Sequence, residues 1–169
     1  LAPTVLKIAG VDVPAHMQGH PFLGTPAAQA QQYQFGMRDR MDERYDMVRT
    51  VTDGRFRYTR NYTPHRPWGQ HYGFAWLAAG YQSWEREFRA GRLTEVQARF
   101  FGPKPFESFH DLHADPDQLQ DLIKSAEHAP RIAAMRAALD KHMLAIVDNG
   151  FIPEGSALEG YEQSRRADA

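Results

Sequence analysis

Residues 35 to 62, FGMRDRMDERYDMVRTVTDGRFRYTRNY, decide the fold. Polar and apolar side chains alternate along Tyr45 to Val51 and again along Arg55 to Tyr62, with Asp53-Gly54 between the runs. Alternation of period two is strand patterning, and Asp-Gly accommodates the two positive φ angles of a type I′ turn. The stretch predicts a tight hairpin with a two-residue loop. That loop sets Val51 opposite Phe56, Arg49 opposite Tyr58, Met47 opposite Arg60 and Tyr45 opposite Tyr62, which gathers the large side chains on one face. The second face, with Asp46, Val48 and Thr50 against Asn61, Thr59 and Arg57, is more polar. Upstream, Tyr33, Phe35 and Met37 alternate with Gln34, Gly36 and Arg38, so a third strand leads into the hairpin.

The rest of the chain supplies cover for the apolar face. Phe74, Leu77, Tyr81, Trp84 and Phe88 recur at spacings of three and four, one stripe of a helix that ends before Gly91. Thr94 with Gln97 forms a capping box, so a short helix runs on to Phe100 and Phe101 before Gly102-Pro103. Glu107 to Leu112 reads as an edge strand. Asp115-Pro116 reads as the start of another helix, burying Leu119, Leu122 and Ile123. Ile132, Met135, Leu139, Met143, Ile146 and Val147 stripe a long final helix that closes at Asn149-Gly150 and starts near Ser125 or at Pro130. The fold class is α+β, a small antiparallel sheet of three or four strands covered by helices.

The 169 residues suit one domain with a real core. Charge is nearly balanced, with 20 Lys and Arg against 21 Asp and Glu, so no overall field recruits nucleic acid, although arginines are dense between Arg38 and Arg66. No apolar run approaches the roughly 20 residues that cross a bilayer. The absence of cysteine removes disulfides, thiolate metal sites and a cysteine nucleophile. The first residue is Leu1, and LAPTVLKIAG reads as the end of an amphipathic helix stopping at Gly10. The chain is therefore expected to be the C-terminal piece of something longer.

Three stretches in order resemble the C-terminal part of the sulfatase family, within the alkaline phosphatase superfamily. LAPTVLKIAGVDVPAHMQGHPFLG is similar to the segment in which a helix ends and a loop leaves the catalytic domain. VRTVTDGRFRYTRNY resembles the family hairpin, and FHDLHADPDQLQDL its tail motif. The resemblance implies the C-terminal subdomain of an alkaline-phosphatase-like α/β enzyme that hydrolyses sulfate esters or sulfamates. It divides the chain into residues 1–32, the end of the catalytic domain and a connecting loop, residues 33–152, the subdomain, and residues 153–169, a polar tail. It also implies calcium and a formylglycine in the parent enzyme, the latter made from Cys or Ser in a Cys/Ser-x-Pro-x-Arg motif. Neither Ser83 nor Ser164 opens that motif. Catalytic residues and metal ligands are thus expected in the missing N-terminal catalytic domain, none in this chain, and the chain alone is expected to be inactive. The resemblance allows a periplasmic or secreted location.

Arg38, Asp39 and Arg40 crowd a strand end together with Asp42 and Glu43, where arginines suit a second anion of a sulfated glycan and acids its hydroxyls. The same residues also suit mutual surface ion pairs. His65, and His71 beside it, fall in the loop TPHRPWGQHYG and are candidates for a pocket mouth. Arg38, Asp39, Arg40 and His65 are therefore the candidate substrate-binding residues, and the expected partner is a sulfated small molecule or glycan. His110, Asp111, His113 and Asp115 do not read as a metal site, because Asp115 is needed as a helix cap. Within the superfamily the rival is a phosphodiesterase or phosphonate monoester hydrolase. From another class it is a non-catalytic polyanion-binding module, since RFRYTRNYTPHRPWGQHYGF interleaves arginines with aromatics. Neither nucleic acid nor a membrane is the expected partner.

Overall fold

The computed structural model describes residues 1–17, 19–23 and 31–153. The chain divides into two compact units, Leu1–Gln32 and Tyr33–Ala169. In the first, helix α1 spans Ala2–Ile8 with Pro3 in its first turn, where a missing N–H breaks no intrahelical bond. Gly10 ends it at φ 73°, while Gly10 and Val11 donate back to the carbonyls of Lys7 and Leu6. Most of the polar tail, residues 154–169, lies outside the described residues.

The second unit is built on a four-stranded antiparallel sheet of β1 (Gln34–Arg38), β2 (Val48–Thr52), β3 (Phe56–Asn61) and β4 (Glu107–Asp111), in that order. The hairpin forms, but its register differs from expectation. Val51 faces Tyr58 rather than Phe56, and Arg49 faces Arg60 rather than Tyr58. The turn centres on Gly54-Arg55, with Gly54 at φ 95°. Asp53 flanks it, accepting the Arg55 and Phe56 N–H groups at 3.0 and 2.7 Å. A turn with glycine first needs one positive φ, whereas a turn on Asp53-Gly54 needs two, one of them at aspartate. The slide is two residues, so every side chain keeps its face.

Val51, Phe56 and Tyr58 lie on the covered face with Phe109 of β4. Helix α4, Ala129–Ala145, lays Ile132, Met135, Leu139 and Met143 across them. These eight side chains are the buried core, each worth about 1.5–3 kcal/mol when an aliphatic or aromatic group leaves water. Pro130 sits in the first turn of α4, which settles its start.

Three expectations about helices are corrected. Helix α2 is shorter than its stripe, Ala79–Arg89, and has no buried residue. Its aromatics do not join the core. Trp84 stacks on Phe100 at 4.3 Å and Phe88 on Phe101 at 4.5 Å. The capping box at Thr94 is present and starts α3 (Glu95–Ala98), which returns the Phe100-Phe101 pair to α2 and satisfies its stripe locally. Residues 112–128 make turns instead of a helix. Gln118 takes φ 55°, and Asp121 accepts the Phe109 N–H at 2.9 Å while Leu122 donates to the Phe109 carbonyl. The segment thus runs along β4 and occupies its free edge, an outlet that propensity does not encode.

Finally, α4 ends at Ala145, four residues before Asn149. Val147 adopts φ 51°, and Val147 and Asp148 donate to the carbonyls of Leu144 and Met143. This is a Schellman cap with valine where glycine is usual. The early stop delivers Asp148 to Arg49, whose Nε and Nη2 lie 2.6 and 2.8 Å from its carboxylate. Valine in the left-handed region costs about 1–2 kcal/mol. Val147→Gly should therefore raise stability by about 1 kcal/mol, read as a higher midpoint in urea unfolding, and an unchanged midpoint would remove the strain.

Candidate functional site

The face of the sheet turned away from α4 floors a cleft of about 820 Å³. Its central row runs across all four strands as Gly36, Thr50, Thr59 and Ser108, each paired with the next. Small side chains along one row leave a trough. At Gly36 a Cβ would come 2.8 Å from the Thr50 hydroxyl, so the row cannot be filled there without displacement. On one side of the trough β1 and β2 contribute Arg38 and Val48, and on the other β3 and β4 place Arg57 directly opposite His110.

The walls come from the loops that flank β4. Trp68 follows β3, Arg99 and Pro103 to Pro105 precede β4, and Gln118, Leu119 and Asp121 follow it. One buried ion pair holds two of these walls. Asp46, 0% exposed, accepts Lys104 Nζ at 2.5 and 2.7 Å, the Thr63 hydroxyl at 2.6 Å and the Met47 N–H at 2.9 Å. Burial by itself would raise the Asp46 carboxyl, but these donors outweigh it and hold the group below its ordinary value. The Lys104 ammonium also lies 4.9 Å from the centre of the Trp68 ring. Asn61, buried beside it, donates to the Pro105 carbonyl at 2.6 Å.

Charge in the cleft is predominantly positive. Arg57 meets an amide, Gln118 Oε1 at 3.3 Å, and Arg99 meets the Leu119 carbonyl at 2.7 Å. Arg38 lies 3.9 Å from Asp46, a carboxylate already held by Lys104. Asp121 spends one oxygen on the N–H groups of Phe109 and Ile123. His110 is 8% exposed, and its Nδ1 has no hydrogen-bond partner among the described residues. Burial pushes its pKa down against the pull of Asp121 and Asp115, and Arg57 adds to the fall.

Of the residues singled out in the sequence, Arg38 lines the cleft. Asp39 pairs at 2.8 Å with buried Arg49. Arg40 donates to the Asp42 carbonyl at an exposed turn, and His65 is exposed in the loop after β3. Asp111 is claimed by Arg55, which drops its pKa to about 2, and by the N–H groups of His113 and Ala114. Arg57 and the pair Asp46–Lys104 were not singled out by the sequence, and His110 was weighed only as a metal ligand and set aside. For Arg57 and His110 the signal was present in strand parity. For Asp46 and Lys104, 58 residues apart, there was none.

No family model matches the sequence. An ulvan-active sulfatase from Formosa agariphila is 32% identical over 158 residues, 93% of this chain and 26% of the relative. Among solved structures, a 2-O GAG sulfatase superposes with a TM-score of 0.56 at 18% identity, over 88% of this chain and 25% of that one. A putative sulfatase from Bacteroides thetaiotaomicron gives 0.55 at 19% over the same shares. A protein in complex with its substrate D-glucosamine-2-N,6-O-disulfate gives 0.55 at 15%, over 90% and 25%. The chain spans about a quarter of the length of each. In sequence the chain is similar to about a quarter of a sulfatase, and in fold it is similar to the same share of solved structures that include sulfatases.

Proposed function

We propose that this chain serves a sulfuric ester hydrolase as its C-terminal part, forming a wall of the substrate pocket while the bond-breaking residues lie outside these 169 residues. The observation that carries the reading is the 32% identity to an ulvan-active sulfatase along 93% of the chain. The described residues contain no group of three or more His, Asp or Glu placed to hold a metal ion, and the chain has no cysteine. Formylglycine has no precursor motif in this sequence, and on this reading calcium too is held by residues outside the chain. What this chain supplies is recognition. Arg38 presents a guanidinium at the cleft, beside Asp39 and Arg40 at the end of β1, and His65 lies in the loop that continues toward Trp68. A planar guanidinium matches a sulfate or carboxylate through two parallel hydrogen bonds, and so suits a sulfated glycan carrying more than one anion.

The polyanion-module reading needs the arginines of the hairpin free at the surface. Several are engaged within the chain, Arg55 among them although it is exposed. Arg55 is held by Asp111, Arg60 by Asp140, and Arg66 donates to the Tyr45 carbonyl.

The test is a comparison of substrates in a sulfatase that carries this chain as its C-terminal part. Arg38→Ala should lower kcat/KM on an anionic oligosaccharide by about tenfold or more and leave a small aryl sulfate within about threefold, since one charge-assisted contact is lost on the first substrate alone. Equal loss on both would make Arg38 structural.

A further inference from the structure

We propose that the free edge of β1 is a self-docking surface, on which two copies of this chain pair β1 against β1, antiparallel, into one sheet of eight strands. The inference stands on the backbone of the sheet and is independent of what the cleft binds.

The sheet ends on β4 at one side and on β1 at the other, and its two edges differ. Asp53 donates to the Phe56 carbonyl and Tyr62 to the Met47 carbonyl, so the odd-numbered residues of β2 turn their backbone groups to β3. The even-numbered residues Val48, Thr50 and Thr52 therefore bond to Arg38, Gly36 and Gln34 of β1. That leaves the N–H and C=O of Phe35 and Met37 pointing out from the edge. On β4 the same alternation turns the N–H and C=O of Phe109 outward, where Asp121 accepts the first and Leu122 donates to the second. Among the described residues nothing covers β1 in this way. Nor does β1 carry the devices that blunt an edge, since it has no proline, no lysine and no bulge in its register. Its outward residues are apolar and open to solvent, Phe35 at 37% and Met37 at 59%.

The strand is complementary to itself. Turned about a two-fold axis through Gly36, it sets Phe35 against Met37 of the second copy and Met37 against Phe35 of the second copy. These are the two residues with free backbone groups, so four N–H to C=O bonds close across the axis. A register centred on Phe35 or on Met37 would instead set the other residue against one outside the strand. On the α4 face the thioether of Met37 meets the ring of Phe35, which already stacks on His142 at 3.8 Å. On the opposite face Arg38 falls across from Gln34 of the second copy, so no like charges are opposed. Four hydrogen bonds and two such contacts make a small interface, and the dimer is accordingly of micromolar affinity and sensitive to dilution.

The experiment follows backbone amide exchange of the 169-residue chain by NMR at about 50 µM and about 1 mM, with sedimentation at both concentrations. The expected result is a dimer at the upper concentration, with the Phe35 and Met37 amides exchanging about tenfold or more slowly than at the lower. The Gly36 and Arg38 amides, bonded to β2 in either state, should change little. Met37→Lys, at an exposed site, should weaken association about tenfold or more and leave the melting temperature of the dilute chain unchanged. The chain has no cysteine, so Gln34→Cys and Arg38→Cys each supply a single thiol. Oxidised together, the two variants should form a mixed disulfide. Neither should cross-link to itself, because like sites lie about 14 Å apart across the axis, beyond the roughly 7 Å that a disulfide spans. A chain that stays monomeric at the upper concentration, or a dimer that Met37→Lys does not weaken, would overturn the proposal. Phe35 and Met37 amides protected equally at both concentrations would overturn it too, since a segment of the same polypeptide would then lie on the edge. Self-cross-linking of either cysteine variant would overturn the register.

Discussion

Asp46→Ala should unfold this subdomain or bring it to the edge of unfolding, a loss of about 3–5 kcal/mol, because it strands the ammonium of Lys104 where no water reaches it. Domains of this size hold only about 5–15 kcal/mol in total. The Thr63 hydroxyl and Met47 N–H lose their acceptor in the same step. The substitution that separates charge burial from packing is the double change Asp46→Leu with Lys104→Met. It removes both charges and should recover most of the lost stability, as apolar replacement of buried pairs often does. The pH dependence has a definite sign. The Asp46 pKa is lowered in the folded state, so its stabilisation is complete above its unfolded value of 3.8 and is lost as the pH falls through the folded value. Urea unfolding of the double variant should therefore be less sensitive to acid than that of the parent chain. A single variant as stable as the parent would show that Lys104 finds another partner or water.

The same pair explains why the cleft was harder to read than the sheet. Alternation along Tyr45 to Tyr62 sorted the two faces correctly even though the hairpin slid by two residues, since parity survives an even shift. The stripe of α4 was equally legible, because Ile132, Met135, Leu139 and Met143 have only one surface to cover. The stripe of α2 was legible as a helix and silent about its target, since Phe100 and Phe101 compete with the sheet for the same aromatics. Asp115-Pro116 satisfied every local rule for a helix start, and the open edge of β4 overrode it. Arg38 could be marked from charge crowding. Arg57 and His110 become neighbours only once β4 is paired to β3, which no local pattern specifies.

On the proposed function, this chain contributes substrate recognition to a sulfatase while the bond-breaking groups lie outside it. Rate enhancement in sulfate ester hydrolysis comes from groups that stabilise charge as the transition state forms, and side chains that only bind cannot substitute for them. The measurement is turnover of an aryl sulfate, with and without calcium, by the 169-residue chain alone and by the same chain put in place of the matched segment of the ulvan-active sulfatase to which it is similar, matured to formylglycine. The expected result is no turnover above background for the chain alone and calcium-dependent turnover for the joined protein. Turnover by the chain alone, abolished by a single substitution within it, would place the active site inside these residues and overturn the assignment of bond breaking to residues outside them.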